Sequence, residues 1–141
     1  MIHYSQLLME LVASGRIKPK NGQAGRVTFH DPCYLGRHND VFTAPRRVLE
    51  IVSSDVAEMP RNGTNSFCCG AGGARMWMEE PTGKKVNIER TEEAIATGAD
   101  VVATGCPFCF VMLDDGLKEL GEDAEVEVKD ISVLLADTAL D

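Results

Sequence analysis

The chemistry this chain can do rests on five cysteines: Cys33, the adjacent pair Cys68 and Cys69, and Cys106 with Cys109 in a C-P-F-C turn. The three packets are separated by 34 and by 36 residues. Thiols are soft ligands, and gathering several at one point suits a soft metal or an iron–sulfur cluster. Cys106 stands where a helix N-cap would stand, Pro107 at the first helical position and Cys109 one turn on. Free backbone N–H groups and the helix dipole there favour thiolates. Three other chemistries could use the same residues. A dithiol redox pair needs only Cys106 and Cys109. Structural zinc closes on four thiolates, usually from two C-x-x-C knuckles, and the chain has one. Cys69-x5-Arg75 has the spacing of a cysteine phosphatase loop, with Gly70, Gly72 and Gly73 as an anion cradle and Cys69 as nucleophile. A multi-iron cluster accommodates more thiolates and tolerates unequal packet spacing.

These packets need elements that bring them together. The run over 5–14 predicts a helix with Ser5 as N-cap and Gly15 as stop, followed by a basic, turn-rich linker to Gly25. Residues 26–30 (R-V-T-F-H) alternate as a strand and end at Asp31-Pro32, directly before Cys33. A helix is expected over 44–53 with Pro45 in its first turn, and a short extended piece over 56–59. Residues 84–97 read as a polar, surface-type helix, and 100–104 (D-V-V-A-T) as a buried strand. A helix then starts at Cys106, with Phe110, Leu113, Leu117 and Leu120 on one face and Gly121 as its stop. A last strand over 125–130 and a short helix over 131–138 close the chain. Strands alternating with helices predict an α/β fold, a small, mainly parallel sheet flanked by helices. Cys33 and Cys106 fall two or three residues past strand ends, and Cys68 is expected there too. The cysteines should therefore converge at the carboxyl edge of the sheet, where open α/β folds bind ligands. The chain divides into an N-terminal helix and linker over 1–24 and a cysteine-rich domain over 25–141.

Composition narrows the function. With 44% hydrophobic and 26% charged residues the 141-residue chain is ordinary for one globular domain. A formal charge of −8 disfavours nucleic acid and docking by charge on an anionic membrane. No apolar run approaches the about 18 residues that span a bilayer, and the start lacks the features of a secretory signal. An odd number of cysteines without such a signal reads as reduced thiols used for metal or redox work in the cytoplasm.

Other residues carry two readings each. His30 is either a donor to cluster sulfur or a proton source, or a strand-end histidine satisfied by backbone. Arg37 and Arg75 either offset the charge of a thiolate cluster or are solvated. Trp77 with Met76 and Met78 reads as a hydrophobic plug, with a contact surface for another domain as the alternative. His3 and His38 show no partner in the sequence.

The segments H-D-P-C-Y-L-G-R (30–37), S-F-C-C-G-A-G-G (66–73) and T-G-C-P-F-C (104–109) resemble the cysteine-rich CCG domain of heterodisulfide reductase. The same domain occurs in iron–sulfur subunits of anaerobic glycerol-3-phosphate dehydrogenase, glycolate oxidase and lactate-utilisation complexes. R-M-W-M-E-E (75–80) is similar to a segment of iron–sulfur oxidoreductases that work beside electron-transfer flavoproteins and acyl-CoA dehydrogenases. The resemblance covers about residues 25–138. It implies a [4Fe-4S] cluster of the non-cubane type, with zinc as the alternative metal, held by Cys33, Cys68, Cys69, Cys106 and Cys109. It implies an electron-transfer module of an oxidoreductase complex, with other iron–sulfur or flavoprotein subunits or domains as partners. Membrane contact would be peripheral, on the inner face and through those partners. Family members usually carry two such domains and often a ferredoxin-like domain. This chain is therefore expected to be the C-terminal piece of a longer polypeptide or the product of a truncated gene, and complete catalysis by it alone is not expected. A zinc-stabilised interaction module and a metal-free thiol enzyme remain as alternatives from other classes.

Overall fold

The computed structural model describes residues 1–20, 22–123 and 125–139. Four short strands, β1 (Val27–His30), β2 (Val56–Ala57), β3 (Val101–Thr104) and β4 (Glu127–Asp130), form one sheet in the order β2-β1-β3-β4. Every pairing is parallel, with Val27 opposite both Val56 and Val101, and Val101 opposite Glu127. Parallel neighbours need crossovers, and the helices supply them. They are α1 (Tyr4–Ala13), α2 (Thr43–Val52), α3 (Val86–Ile95), α4 (Pro107–Leu120) and α5 (Ile131–Ala139).

Alternation along the strands divides the core between two faces. Val27 and Phe29 of β1 and Val101 and Ala103 of β3 pack with Val48 and Leu49 of α2 and with α5, under a partial cover of α1. Val102 and Val128 point the other way, onto Ala94 of α3, Leu113 and Leu117 of α4, and Met59. β1 and β3 are buried along their whole length: β3 as its continuous apolar run predicts, β1 although the sequence over 26–30 alternates, because Thr28 and His30 are buried as well.

The expected elements are present, with four differences. The first helix is capped by His3 and not by Ser5: His3 accepts from the Ser5 N–H, and Gln6 reaches back to the His3 N–H at 2.9 Å. The imidazole also contacts the Gly105 carbonyl at 3.2 Å, so a residue without a visible partner in the sequence ties α1 to the end of β3. β2 pairs over two residues only, and Cys68 follows it on a long loop instead of at a strand end. α3 is no surface helix, since Asn87, Ile88, Arg90, Thr91 and Ala94 are buried. Trp77 is no plug: it is 80% exposed and Met78 is 59% exposed, on the short 3-10 turn that follows the glycine loop. The segment after α1 is stitched down by Lys20 N–H to Thr138 O and Ala24 N–H to Val52 O, both 2.9 Å; the linker reading also includes Asn21, which lies outside the described residues.

Two local devices fix how the site-bearing segments sit. Asp31, at the end of β1, is 3% exposed and takes a bidentate grip from Arg46 of α2, with both N–O distances 2.8 Å. The same carboxylate accepts from the Gly63 N–H at 2.8 Å, and the Asp31 carbonyl accepts from the Ser66 hydroxyl at 3.2 Å. One aspartate thus joins the strand before Cys33, the helix after it, and the loop before Cys68. Elsewhere α3 and α4 touch closely because Gly116 has no side chain: a Cβ there would meet Thr91 Oγ1 at 2.2 Å and Cβ at 3.0 Å.

Gly116→Val should lower stability by about 1–3 kcal/mol despite a better helix propensity, because the β-branched Thr91 cannot swing away. Thr91→Ala should recover part of that loss, read as coupling in a double-mutant cycle of urea midpoints; strict additivity would show that the contact is not tight. Asp31→Ala should cost roughly 2–4 kcal/mol, toward the low end of the penalty for breaking a buried pair, since Arg46 keeps Glu58. A urea midpoint like that of the parent would remove Asp31 from this role.

Candidate metal centre

Cys33 opens a helical turn after β1, in which the Gly36 N–H bonds the Pro32 carbonyl at 2.9 Å and the His38 N–H the Cys33 carbonyl at 3.1 Å. Cys106 follows β3 by two residues and takes the N-cap position of α4, with Pro107 inside the first turn. Cys109, one turn on, is 2% exposed. Cys68 and Cys69 arrive from the loop clamped by Asp31. The turn that follows them requires glycine: Gly70 has φ +90°, and a Cβ there would press on Val86 and the Asn87 N–H at 3.2 and 3.3 Å.

All five cysteines are free thiols; Cys69 and Cys109 are buried and the other three half-buried. Cys33, Cys68, Cys69 and Cys109 border one pocket, together with His30 and Arg37. Cys106 reaches the group through Cys109, whose thiol interacts with both Cys106 and Cys69. The Cys69 and Cys109 sulfurs and a His30 ring nitrogen lie within 4.8 Å of one another. The structure therefore gathers the three packets at one end of the sheet, beyond the carboxyl ends of β1 and β3.

Electrostatics assigns unequal roles to the sulfurs. Cys69 is driven far below the ordinary thiol range by hydrogen bonds from Cys109 and Cys68, and further by His30 and the Ala71 N–H, against the opposing effect of burial. Cys68 and Cys109 are pushed up: Cys68 by its bond to Cys69 and by burial, and Cys109 by its bonds to Cys106 and Cys69 and by burial. The Gly70 N–H points at Cys68 Sγ at 3.2 Å. Cys106 is lowered to about 6, first by Cys109 and then, against burial, by the backbone N–H groups of Cys109 and Phe108. Those amides act on the sulfur as dipoles of the first helical turn, without a closed side-chain cap. The result is a set of sulfurs in which thiolates are favoured at Cys69 and Cys106.

The donor set is soft, and the nearby acid is already engaged, since Asp31 is held by Arg46. Thiolate sulfur without carboxylate fits an iron–sulfur cluster or zinc and not a hard cation. The phosphatase geometry is not built: Arg75 pairs with Glu80 on the exposed 3-10 turn, while Cys69 draws its bonds from sulfur, imidazole and one amide. Arg37 donates to the Ser66 carbonyl at 2.6 Å and borders the pocket, so it braces the loop that carries Cys68.

The residue that sequence reasoning missed is Arg90. It is 0% exposed, and its Nε–H donates to His30 Nδ1 at 3.0 Å. Burial lowers the His30 pKa, and the Arg90 cation adds to that against the bond to Cys69. The available signal was positional: Asn87, Arg90, Thr91 and Ala94 stand at i, i+3, i+4 and i+7 and all are buried, but three of the four are polar.

Over 139 residues the chain is 42% identical to the "Probable iron-sulfur-binding oxidoreductase FadF" of Bacillus subtilis, covering 98% of this chain and 20% of that protein. It is 38% identical to the "EtfAB:quinone oxidoreductase" of Syntrophomonas wolfei, covering 94% of this chain and 20% of that protein. It is also 38% identical to one of the subunits of the dihydromethanophenazine:CoB–CoM heterodisulfide reductase of Methanosarcina barkeri, covering 97% of this chain and 33% of that protein. The chain thus spans one fifth to one third of the length of these relatives. The family model described as "Cysteine-rich domain", CCG, matches residues 27–114, a stretch that holds all five cysteines together with β1, β2 and β3, and the chain belongs to that family.

Proposed function

We propose that this chain is the iron–sulfur-binding electron-transfer module of an oxidoreductase complex, with a [4Fe-4S] cluster of the non-cubane type held by Cys33, Cys68, Cys69, Cys106 and Cys109. The observation that carries the reading is the convergence of five free thiols from three loops on one sheet edge, two of them poised as thiolates. Names of relatives support the same class: one is called an iron–sulfur-binding oxidoreductase and another belongs to a heterodisulfide reductase.

When bound, such a cluster supplies one-electron chemistry at iron. What the chain itself contributes is binding, charge balance and exclusion of water. Cys69 and Cys109 are buried, so their sulfurs meet a metal in a dry setting. Amide N–H groups of Gly70 and Ala71, and the first turn of α4, face sulfurs that ligation leaves negatively charged. Cys33, Cys68 and Cys106 are half-buried, so the centre is open to a partner on one side.

The partners proposed are iron–sulfur or flavoprotein subunits, or further domains of the same polypeptide; one relative is named "EtfAB:quinone oxidoreductase". The site of action proposed is the cytoplasm, with attachment to the inner face of a membrane through those partners. Among the described residues no helix is long and apolar enough to cross a membrane.

Anaerobic reconstitution of the chain should give about four iron and about four acid-labile sulfide per chain, the content of one such cluster. Serine at any one of the five positions should cut the iron bound while leaving the far-ultraviolet circular dichroism unchanged. One zinc per chain without sulfide would replace this reading with a structural module. Iron content that survives the serine change at two or more positions would sink the five-ligand assignment.

A further inference from the structure

Arg90 is the largest side chain that the fold buries completely. A guanidinium without contact with water is costly unless it is paired, so its partners show what it is for. Nη1 donates to the Arg61 carbonyl at 2.9 Å and meets Glu93 Oε2 at 3.1 Å. Glu93 is itself held by the Arg61 guanidinium and backbone N–H. Nη2 finds no partner among the described residues. That leaves Nε, whose hydrogen points at His30 Nδ1 at 3.0 Å.

Arginine has only donors, so the His30 nitrogen facing it must present a lone pair. A hydrogen on Nδ1 would set two donors head to head. The ring hydrogen therefore sits on Nε2, on an imidazole that places a ring nitrogen within 4.8 Å of the Cys69 sulfur. His30 is 1% exposed and is held between the arginine and the sulfur, so neither ring nitrogen faces water.

We infer that Arg90 is a positioning residue for the sulfur centre: by occupying His30 Nδ1 it holds the imidazole in the Nε2–H form, which makes His30 a hydrogen-bond donor to the Cys69 sulfur and not a ligand to the metal. The part that concerns a bound cluster rests on the function proposed above; the Arg90–His30–Cys69 chain does not. The same pairing bears on a local ambiguity. His30, Cys69 and Cys109 lie within 4.8 Å of each other and by residue type could hold one zinc ion. Imidazole ligation through Nε2 would need the hydrogen on Nδ1, against the Arg90 Nε–H, so the pairing with Arg90 disfavours that site. A hydrogen bond to a cluster sulfur stabilises the more negative, reduced state and raises the reduction potential.

The test begins without metal. The chain has three histidines, so 15N-histidine labelling of the full, reduced, metal-free protein gives a spectrum in which His30 is assigned by its loss in His30→Gln. Wild-type protein should show His30 as one tautomer, Nδ1 unprotonated and Nε2 protonated. Arg90→Met should shift it to a mixture of both. A wild-type mixture, an Nδ1–H form, or an unchanged spectrum in Arg90→Met would overturn the inference. Should Arg90→Met fail to fold, the wild-type spectrum and the His30 variants decide. In the reconstituted protein His30→Leu should lower the midpoint potential while keeping wild-type iron and sulfide. His30→Gln, which still presents an amide N–H toward Cys69, should stay near the wild-type potential. Equal potentials in the two variants, or iron loss in both, would overturn the donor role. If the wild-type chain takes up no iron and sulfide, the proposed function fails, and the metal-free spectrum still decides the Arg90–His30 pair.

Discussion

Sulfurs crowded together cannot all be charged, and that constraint organises this fold. Two unit charges 4 Å apart at an effective dielectric of 20 repel by about 4 kcal/mol. The chain meets this by dividing the sulfurs into acceptors and donors: Cys69 favoured as thiolate, Cys68 and Cys109 favoured as protonated donors beside it. What remains of the charge is met by N–H groups from different elements, namely the amides after Cys69, the first turn of α4, and the imidazole at the end of β1. The glycine at position 70 follows from the same demand. Its φ of +90° turns the loop, its own N–H faces Cys68, and any Cβ would strike the start of α3.

Holding three loops to that accuracy is a task for polar contacts, because a parallel sheet fixes where its strands end but not the course of the chain beyond them. Asp31 solves it for two of the three packets, by gripping Arg46 of α2 and the Gly63 amide together. Arg37 adds a strut to the Ser66 carbonyl on the same loop. The third packet needs no clamp. Cys106 follows β3 by two residues and stands at the N-cap position of α4, so strand and helix position it between them.

Much of this was legible in the sequence. Strands β1, β3 and β4 and helices α2, α4 and α5 were placed to within a few residues, because hydrophobic runs and the breakers Pro32, Pro107 and Gly121 mark them. Convergence of Cys33 and Cys106 was legible from strand ends and turn residues; Cys68, expected at a strand end as well, arrives instead on a long loop that Asp31 clamps. Three things were not. His3 caps α1 through a ring nitrogen, which no capping preference suggests. α3 hides its buried face because that face is Asn87, Arg90 and Thr91, which look solvated in any hydropathy scale. Trp77 looks like core by type, yet it rides on an exposed turn after the glycine loop. In the last two cases residue type pointed the wrong way because burial was set by tertiary contacts, α3 packing on α4 through Gly116 and the glycine loop carrying its apolar end outward.

The two faces of the sheet differ in kind, and the difference has a physical reason. The face under α1, α2 and α5 is apolar along its strands, through Val27, Phe29, Val101 and Ala103. The opposite face mixes Val102 and Val128 with Thr28 and His30, and α3 meets it with Ala94 and Arg90, while Asn87 and Thr91 face α4. Among the described residues, the buried side-chain polar atoms left without a hydrogen bond are Thr28 Oγ1 and Arg90 Nη2, and both belong to this second face. Such atoms cost roughly 1–3 kcal/mol each, a burden that only a core stabilised elsewhere can carry. Apolar burial on one face therefore permits polar machinery on the other. That machinery sits beside Cys69 because alternation along β1 turns His30, its last residue, onto the same face as α3.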